Sequence, residues 1–203
     1  NGFHIYKNDY ALPMGFTFDT YVSRSQWETY SESDRCNLLL RALVLEDDAV
    51  ETYQKDMQKL PDAVHQMSDE DLLAECTERT KTACDSFTYN SKGFHTTIST
   101  DHANLVFFSV PWEEGWSAEV NGEPVAIEKA DIGFMAVPVP AGDNEITFTY
   151  HTPGLKAGAL LSLGGLVLFA GYLTVAGIYN KRHPNPKTES ICCVDYSTEE
   201  TAN

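Results

Sequence analysis

Basic side chains and cooperating cysteines are both scarce in this chain. Its 203 residues hold 14 Lys/Arg against 30 Asp/Glu, a formal net charge of −16. Nucleic-acid binding needs a basic stripe to meet phosphates, and no such stripe is present, so that class of partner is excluded. The same acidity argues against lying flat on an anionic lipid surface. Five cysteines stand at 36, 76, 84, 192 and 193. None forms a C-x-x-C pair, so a zinc ribbon or dithiol redox site has no support. The spacing allows a Cys76–Cys84 bridge, while Cys192 and Cys193 read as free thiols. Histidines at 4, 65, 95, 102, 151 and 183 show no metal-ligand spacing. H-E-x-x-H, G-x-S-x-G and the phosphate-binding glycine loop are missing. No catalytic residue, metal or cofactor is expected from these residues.

What is present is a long uncharged run. From Ala157 to Asn180 there are 24 residues without a charge, with Lys156 before them and Lys181 and Arg182 after. As a helix the run would be about 36 Å long, against a hydrocarbon core of about 30 Å. A transmembrane helix over 156–180 is predicted. Lys181, Arg182, His183 and Lys187 outweigh Lys156, so the tail 181–203 is expected in the cytoplasm and residues 1–155 outside it. Residues 1–156 carry 11 Lys/Arg and 26 Asp/Glu, a net of −15, which suits a solvated extracytoplasmic face. Ala157, Gly164 and Gly171 recur every seven residues, as do Gly158 and Gly165. Small residues along one side let helices approach closely in lipid, which predicts packing against other transmembrane helices. The chain opens on Asn1 rather than Met and reads as a piece of a longer or processed protein.

The segment before the run divides in two. Residues 1–86 read as mixed strand and helix. Phe16 and Phe18 alternate as in a strand. Ser25 and Glu28 have capping-box spacing. Cys36, Leu39, Leu40 and Leu43 predict a helix ending near Leu45, and Val50, Tyr53, Met57 and Leu60 predict another, stopped by Pro61. Ser68 followed by Asp69-Glu70-Asp71 predicts a third helix start; the same acids match the D-x-D pattern formally, but acids also suit a helix N-terminus. In residues 87–155 the period changes to two. Phe94, Thr96 and Ile98 alternate. Leu105–Val110 is an apolar strand, and Trp116, Ala118 and Val120 alternate. Asn121-Gly122 predicts a type I′ hairpin turn to a return strand over 124–128. Phe134–Val139 and the alternation of Ile146, Phe148 and Tyr150 complete an antiparallel, β-sandwich-like section. The fold class is therefore α+β: a helical section, a sandwich-like section and one C-terminal transmembrane helix.

One stretch offers ligand chemistry. In P-W-E-E-G-W-S-A-E-V (111–120), Trp112 and Trp116 flank Glu113 and Glu114. Aromatic faces can stack on sugar rings while carboxylates accept hydroxyl protons. A Trp alternating with Ala118 and Val120 also suits core packing.

Several segments together resemble a family. P-W-E-E-G-W-S-A-E-V-N-G-E-P-V (111–125), G-F-M-A-V-P-V-P-A-G (133–142) and I-T-F-T-Y-H-T-P-G-L-K-A-G (146–158) resemble the C-terminal end of YfhO-type bacterial membrane proteins. N-D-Y-A-L-P-M-G-F (8–16) and R-x-x-L-L-L-R-A-L-V-L-E-D (35–47) are similar to it too, so the likeness covers most of residues 8–180. The resemblance implies a multi-pass protein similar to C-type glycosyltransferases, which use lipid-linked sugar donors. It implies a role in adding sugars to lipoteichoic acid or other envelope glycopolymers. The implied partners are the lipid bilayer, the parent's other helices, and an envelope glycan or lipid-linked sugar. The catalytic carboxylate of such enzymes lies in an early loop outside this chain, so the resemblance gives no residue here a catalytic role. The competing expectation is a single-pass surface protein whose sandwich binds glycan or protein.

Overall fold

In the computed structural model, which describes residues 2–8, 10–61 and 67–183, the change of period near Phe87 marks the entry into a second β-sheet. The chain forms two compact units, Asn1–Pro153 and Gly154–Asn203. The expectations for 184–203, including Lys187, Cys192 and Cys193, lie outside the described residues, as does His65.

The first unit opens with β1 (Phe16–Thr17) and β2 (Thr20–Ser23), then α1 (Arg24–Glu28), α2 (Glu32–Leu38), β3 (Leu43–Leu45), α3 (Asp47–Tyr53) and β4 (Gln58–Lys59). Strand β2 pairs in parallel with both β3 and β4, so α1 with α2, and then α3, serve as crossovers. This corrects two helical readings. Helix α2 stops at Leu38, and Leu43–Leu45 is a strand with all three residues buried. Helix α3 stops at Tyr53, and Gln58–Lys59 is an exposed strand. A three-residue apolar run buried on both faces has no period of its own, so helical spacing absorbed it. The first helix is capped by Ser23, whose hydroxyl accepts from the Gln26 N–H; Ser25 lies inside the helix. By contrast, α4 (Asp69–Lys81) starts at Ser68 as expected. Ser68 Oγ accepts from the Asp71 N–H, and Asp71 Oδ2 accepts from the Ser68 N–H at 2.9 Å. The acidic run is therefore a capping box.

Next come β5 (Ser86–Asn90), β6 (Gly93–Thr100), β7 (Asn104–Pro111), β8 (Trp116–Val120), β9 (Glu123–Val125), β10 (Glu128–Ala130), β11 (Phe134–Val139) and β12 (Gly142–Tyr150). The seven-stranded sheet runs β1-β7-β11-β10-β3-β2-β4, and the five-stranded antiparallel sheet runs β5-β6-β12-β8-β9. Asn121 and Gly122, at φ 55° and 82°, make the expected β8–β9 turn. The return strand is shorter than expected. It ends at Val125, and the chain crosses to the other sheet as β10.

Strands β7 and β11 lie between two cores. Leu105, Phe107 and Ala136 face one core, shared with Phe16, Leu43, Leu45 and Ala49 of α3. Val106, Phe108, Met135, Val137 and Val139 face the other, against Phe94, Ile146 and Phe148 of the five-stranded sheet. The layers are helix, sheet and sheet. A central strand buried on both faces reads as a continuous apolar run, as Leu105–Phe108 does. Cys36, Cys76 and Cys84 are free thiols, so the Cys76–Cys84 bridge does not form.

The second unit holds α5 (Leu155–Arg182), 28 residues with none buried. It is long and apolar enough to cross a membrane. The Thr174 hydroxyl donates to the Gly171 carbonyl at 2.7 Å, satisfying a polar group within the helix. Lys181 and Arg182 occupy the last turn, where positive charge complements the helix dipole.

Candidate ligand cleft

The aromatic end of the five-stranded sheet is built by register. Phe148 of β12 pairs with Phe94 of β6 on one side and Ala118 of β8 on the other; Tyr150 pairs with Trp116. Side chains on one face of adjacent strands meet. Phe94 stacks on Phe148 at 4.4 Å and on Phe87 at 5.2 Å between ring centroids, and Trp116 leans on Tyr150 at 5.0 Å.

Beyond these rings lies a cleft of about 620 Å³, within the range of small-molecule sites. Its walls are Phe87, Phe94, Trp116 and Tyr150, together with Met14 and Val110. Its polar rim comes from Tyr89, Asn90 and Lys92 at the β5–β6 hairpin, and from Glu113 ahead of β8. Backbone hydrogen bonds hold these segments together. The Tyr150 N–H donates to the Lys92 carbonyl at 2.7 Å, and the His151 N–H to the Gly115 carbonyl at 2.8 Å. The Trp116 N–H closes a turn onto the Glu113 carbonyl at 3.2 Å. Gly115 is buried, and a Cβ there would stand 2.6 Å from the His151 carbonyl oxygen. That close approach lets the Glu113–Trp116 turn seat against the end of β12.

The Tyr150 hydroxyl donates to Glu113 Oε2 at 2.8 Å. This bond holds the phenol above its ordinary acidity range, because losing the proton would set two anions side by side. The Asn90 Oδ1 accepts from the Lys92 N–H at 2.7 Å and shapes the hairpin tip.

Of the four residues expected to meet a ligand, Glu113 and Trp116 line this cleft, and Trp112 and Glu114 do not. Trp112 is 38% exposed and lies just past β7, its N–H donating to the Gly133 carbonyl. Trp116 packs on Phe94 and Phe148, as its alternation with Ala118 and Val120 suits, and is half-exposed. Sequence reasoning missed Tyr89, Lys92 and Tyr150. The available signal was the strand alternation that puts Tyr150 on the same face as Ile146 and Phe148 at the end of β12; the hairpin residues gave none. Among the described residues, no group of three or more His, Cys, Asp or Glu is arranged to hold a metal ion. Gly158, Gly164, Gly165 and Gly171 lie on α5, and beyond the helix's own adjoining backbone no described atom stands within 4 Å of where a Cβ would be.

Residues 62–162 match the family described as bacterial membrane protein YfhO. A relative from Bacillus subtilis (strain 168), the uncharacterized protein YfhO, is 30% identical over 121 residues, which is 60% of this chain and 13% of that protein. The chain thus corresponds to a small part of the relative's length. No solved structure matches. The family match starts ahead of α4, runs through the whole five-stranded sheet and ends at residue 162, in the early turns of α5. The chain belongs to the YfhO family of bacterial membrane proteins.

Proposed function

We propose that this chain is the extracytoplasmic domain and last membrane helix of a YfhO-like protein that transfers sugars from lipid-linked donors to envelope glycopolymers such as lipoteichoic acid. The observation that carries the reading is the family match, which passes without a break from the sheets into α5. In this reading residues 1–155 face the outside, where a net charge of −15 over residues 1–156 stays solvated, and 181–203 face the cytoplasm. Gly158, Gly164, Gly165 and Gly171 let α5 pack against other helices of the parent. The domain is accessory to a catalytic centre elsewhere in the parent and contributes a site for glycan. The test is a deletion of the parent gene, complemented by the full-length protein or by a version lacking the domain. The sugar content of extracted lipoteichoic acid and wall polymers is then measured by NMR. Loss of sugar in the deletion and its return only with the full-length protein supports the reading. Unchanged polymer sugar in the deletion overturns it.

A further inference from the structure

We propose that the cleft between the β5–β6 hairpin and the end of β12 binds a single neutral pyranose ring. The class of ligand rests on the sugar-transfer reading above; the ring's neutrality and pose come from the cleft itself. A pyranose has one face of C–H groups and a girdle of hydroxyls. The cleft offers the complement of both. Its walls are the Trp116, Phe94 and Tyr150 rings, and its rim carries Glu113, Lys92 and Asn90. Apolar walls with a few directional polar groups bind and orient a small ligand. Glu113 spends Oε2 on the Tyr150 hydroxyl, and no described residue donates to Oε1, which is therefore an acceptor for a sugar hydroxyl. Lys92, also on the rim, supplies donors. The two rim charges cancel, and the domain around them is strongly acidic, so a phosphate or nucleotide group is disfavoured. The site is also built in advance. The Tyr150–Lys92 and His151–Gly115 backbone bonds fix its two sides, and Gly93 lets the hairpin lie against β12 where a Cβ would strike the Phe148 carbonyl oxygen. A preformed site loses less entropy on binding.

The test is saturation-transfer NMR on the full 203-residue chain in phosphatidylcholine nanodiscs. The probes are methyl glucopyranoside, methyl galactopyranoside, methyl N-acetylglucosaminide, glycerol phosphate and hexanol. The expected result is transfer to at least one of the glycosides, strongest on the C–H protons of one ring face, with glycerol phosphate and hexanol silent. Glu113→Ala and Lys92→Ala change exposed groups, remove the acceptor and the donor, and leave the walls intact. Each is expected to weaken binding about tenfold, the usual effect of losing a hydrogen bond to a charged group. Trp fluorescence and the unfolding midpoint verify that both variants fold. Absence of transfer to all three glycosides, equal affinity in both variants, or tighter binding of glycerol phosphate or hexanol would each overturn the proposal. The transfer reading is separable. Polymer glycosylation that needs the parent while no glycoside binds removes the cleft alone. Glycoside binding beside polymer that does not need the parent keeps the cleft and removes the transfer role.

Discussion

Asp131 and Val44, 87 positions apart, exchange two hydrogen bonds: the Val44 N–H donates to Asp131 Oδ1 at 2.8 Å, and the Asp131 N–H donates to the Val44 carbonyl at 2.9 Å. They join the β10–β11 turn to β3 where the two strands share only the Ala130–Leu45 register pair. Asp131 is 7% exposed and sits at φ 43°. The bond thus ties the parallel, helix-linked half of the seven-stranded sheet to its antiparallel half.

The latch makes stability depend on pH. Burial raises the Asp131 carboxyl from 3.8 to about 7, and the Val44 N–H only partly opposes this. The folded chain therefore holds a proton that the unfolded chain has released. Stability from this group is complete below the unfolded value and is lost as pH rises through about 7, by on the order of 4 kcal/mol. Asp131→Asn keeps an oxygen for Val44, tolerates the positive φ and carries no charge. The expected outcome is a variant whose urea midpoint changes less than wild type between pH 5 and 8 and exceeds it at pH 8. Parallel curves for the two proteins would show that the carboxylate does not titrate there.

Gly93 and Gly122 separate close approach from backbone strain. A Cβ at Gly93 strikes the Phe148 carbonyl oxygen, which belongs to a paired strand and cannot swing aside. At Gly122 nothing lies within 4 Å, and only φ 82° resists a side chain. Gly93→Ala is expected to cost about 1–3 kcal/mol by overpacking and Gly122→Ala about 1 kcal/mol. Denaturant titration gives both; a Gly93→Ala loss smaller than that at Gly122 would contradict the geometry.

The cap at Ser68 has a local consequence. Ser68→Ala removes the acceptor for the Asp71 N–H and the donor to Asp71 Oδ2. About 1 kcal/mol of stability should be lost, with faster hydrogen exchange confined to the first turn of α4. Exchange rising equally in β6 and β12 would mean the cap supports more than its helix.

Legibility in the sequence followed period and turn chemistry. Alternation at Ile146, Phe148 and Tyr150 announced β12, because one face of that strand is buried and the other is not. Asn121-Gly122 and Ser68 were readable because each satisfies a backbone need within three residues. Strand β3 was not, since three buried residues carry no alternation, and β4 is polar and exposed on both residues. The parallel pairing through β2 left no local mark. In the cleft, Glu113 and Trp116 stood out as a local cluster. Tyr89, Lys92 and Tyr150 reach them only through strand pairing across 20 or more positions, which sequence spacing cannot display. Nothing in the sequence singles out Asp131, and only its partner 87 positions away makes it a latch.

Sidedness can be read from the cysteines. Cys36 is exposed, Cys76 is buried and Cys84 is partly covered, so Cys36 is the thiol that a bulky reagent reaches first. Burial raises the Cys84 thiol above its ordinary range, which slows its reaction further, since the thiolate is the nucleophile. With Cys192 and Cys193 both changed to Ser, a membrane-impermeant maleimide added to intact cells is expected to label the chain at Cys36, and Cys36→Ser to abolish most of that label. With Cys36 changed to Ser and the tail cysteines restored, label should appear only after lysis. Labelling of the tail pair on intact cells, with Cys36 protected until lysis, would invert the orientation and place the acidic domain in the cytoplasm. Leu168→Arg provides the companion test of α5. Leu168 is 76% exposed near the middle of the helix, and a central Arg costs about 2.5–3.5 kcal/mol of insertion. The variant should shift toward the carbonate-soluble fraction while Leu168→Phe stays in the membrane pellet. If the two variants fractionate alike, lipid is not the surroundings of that face.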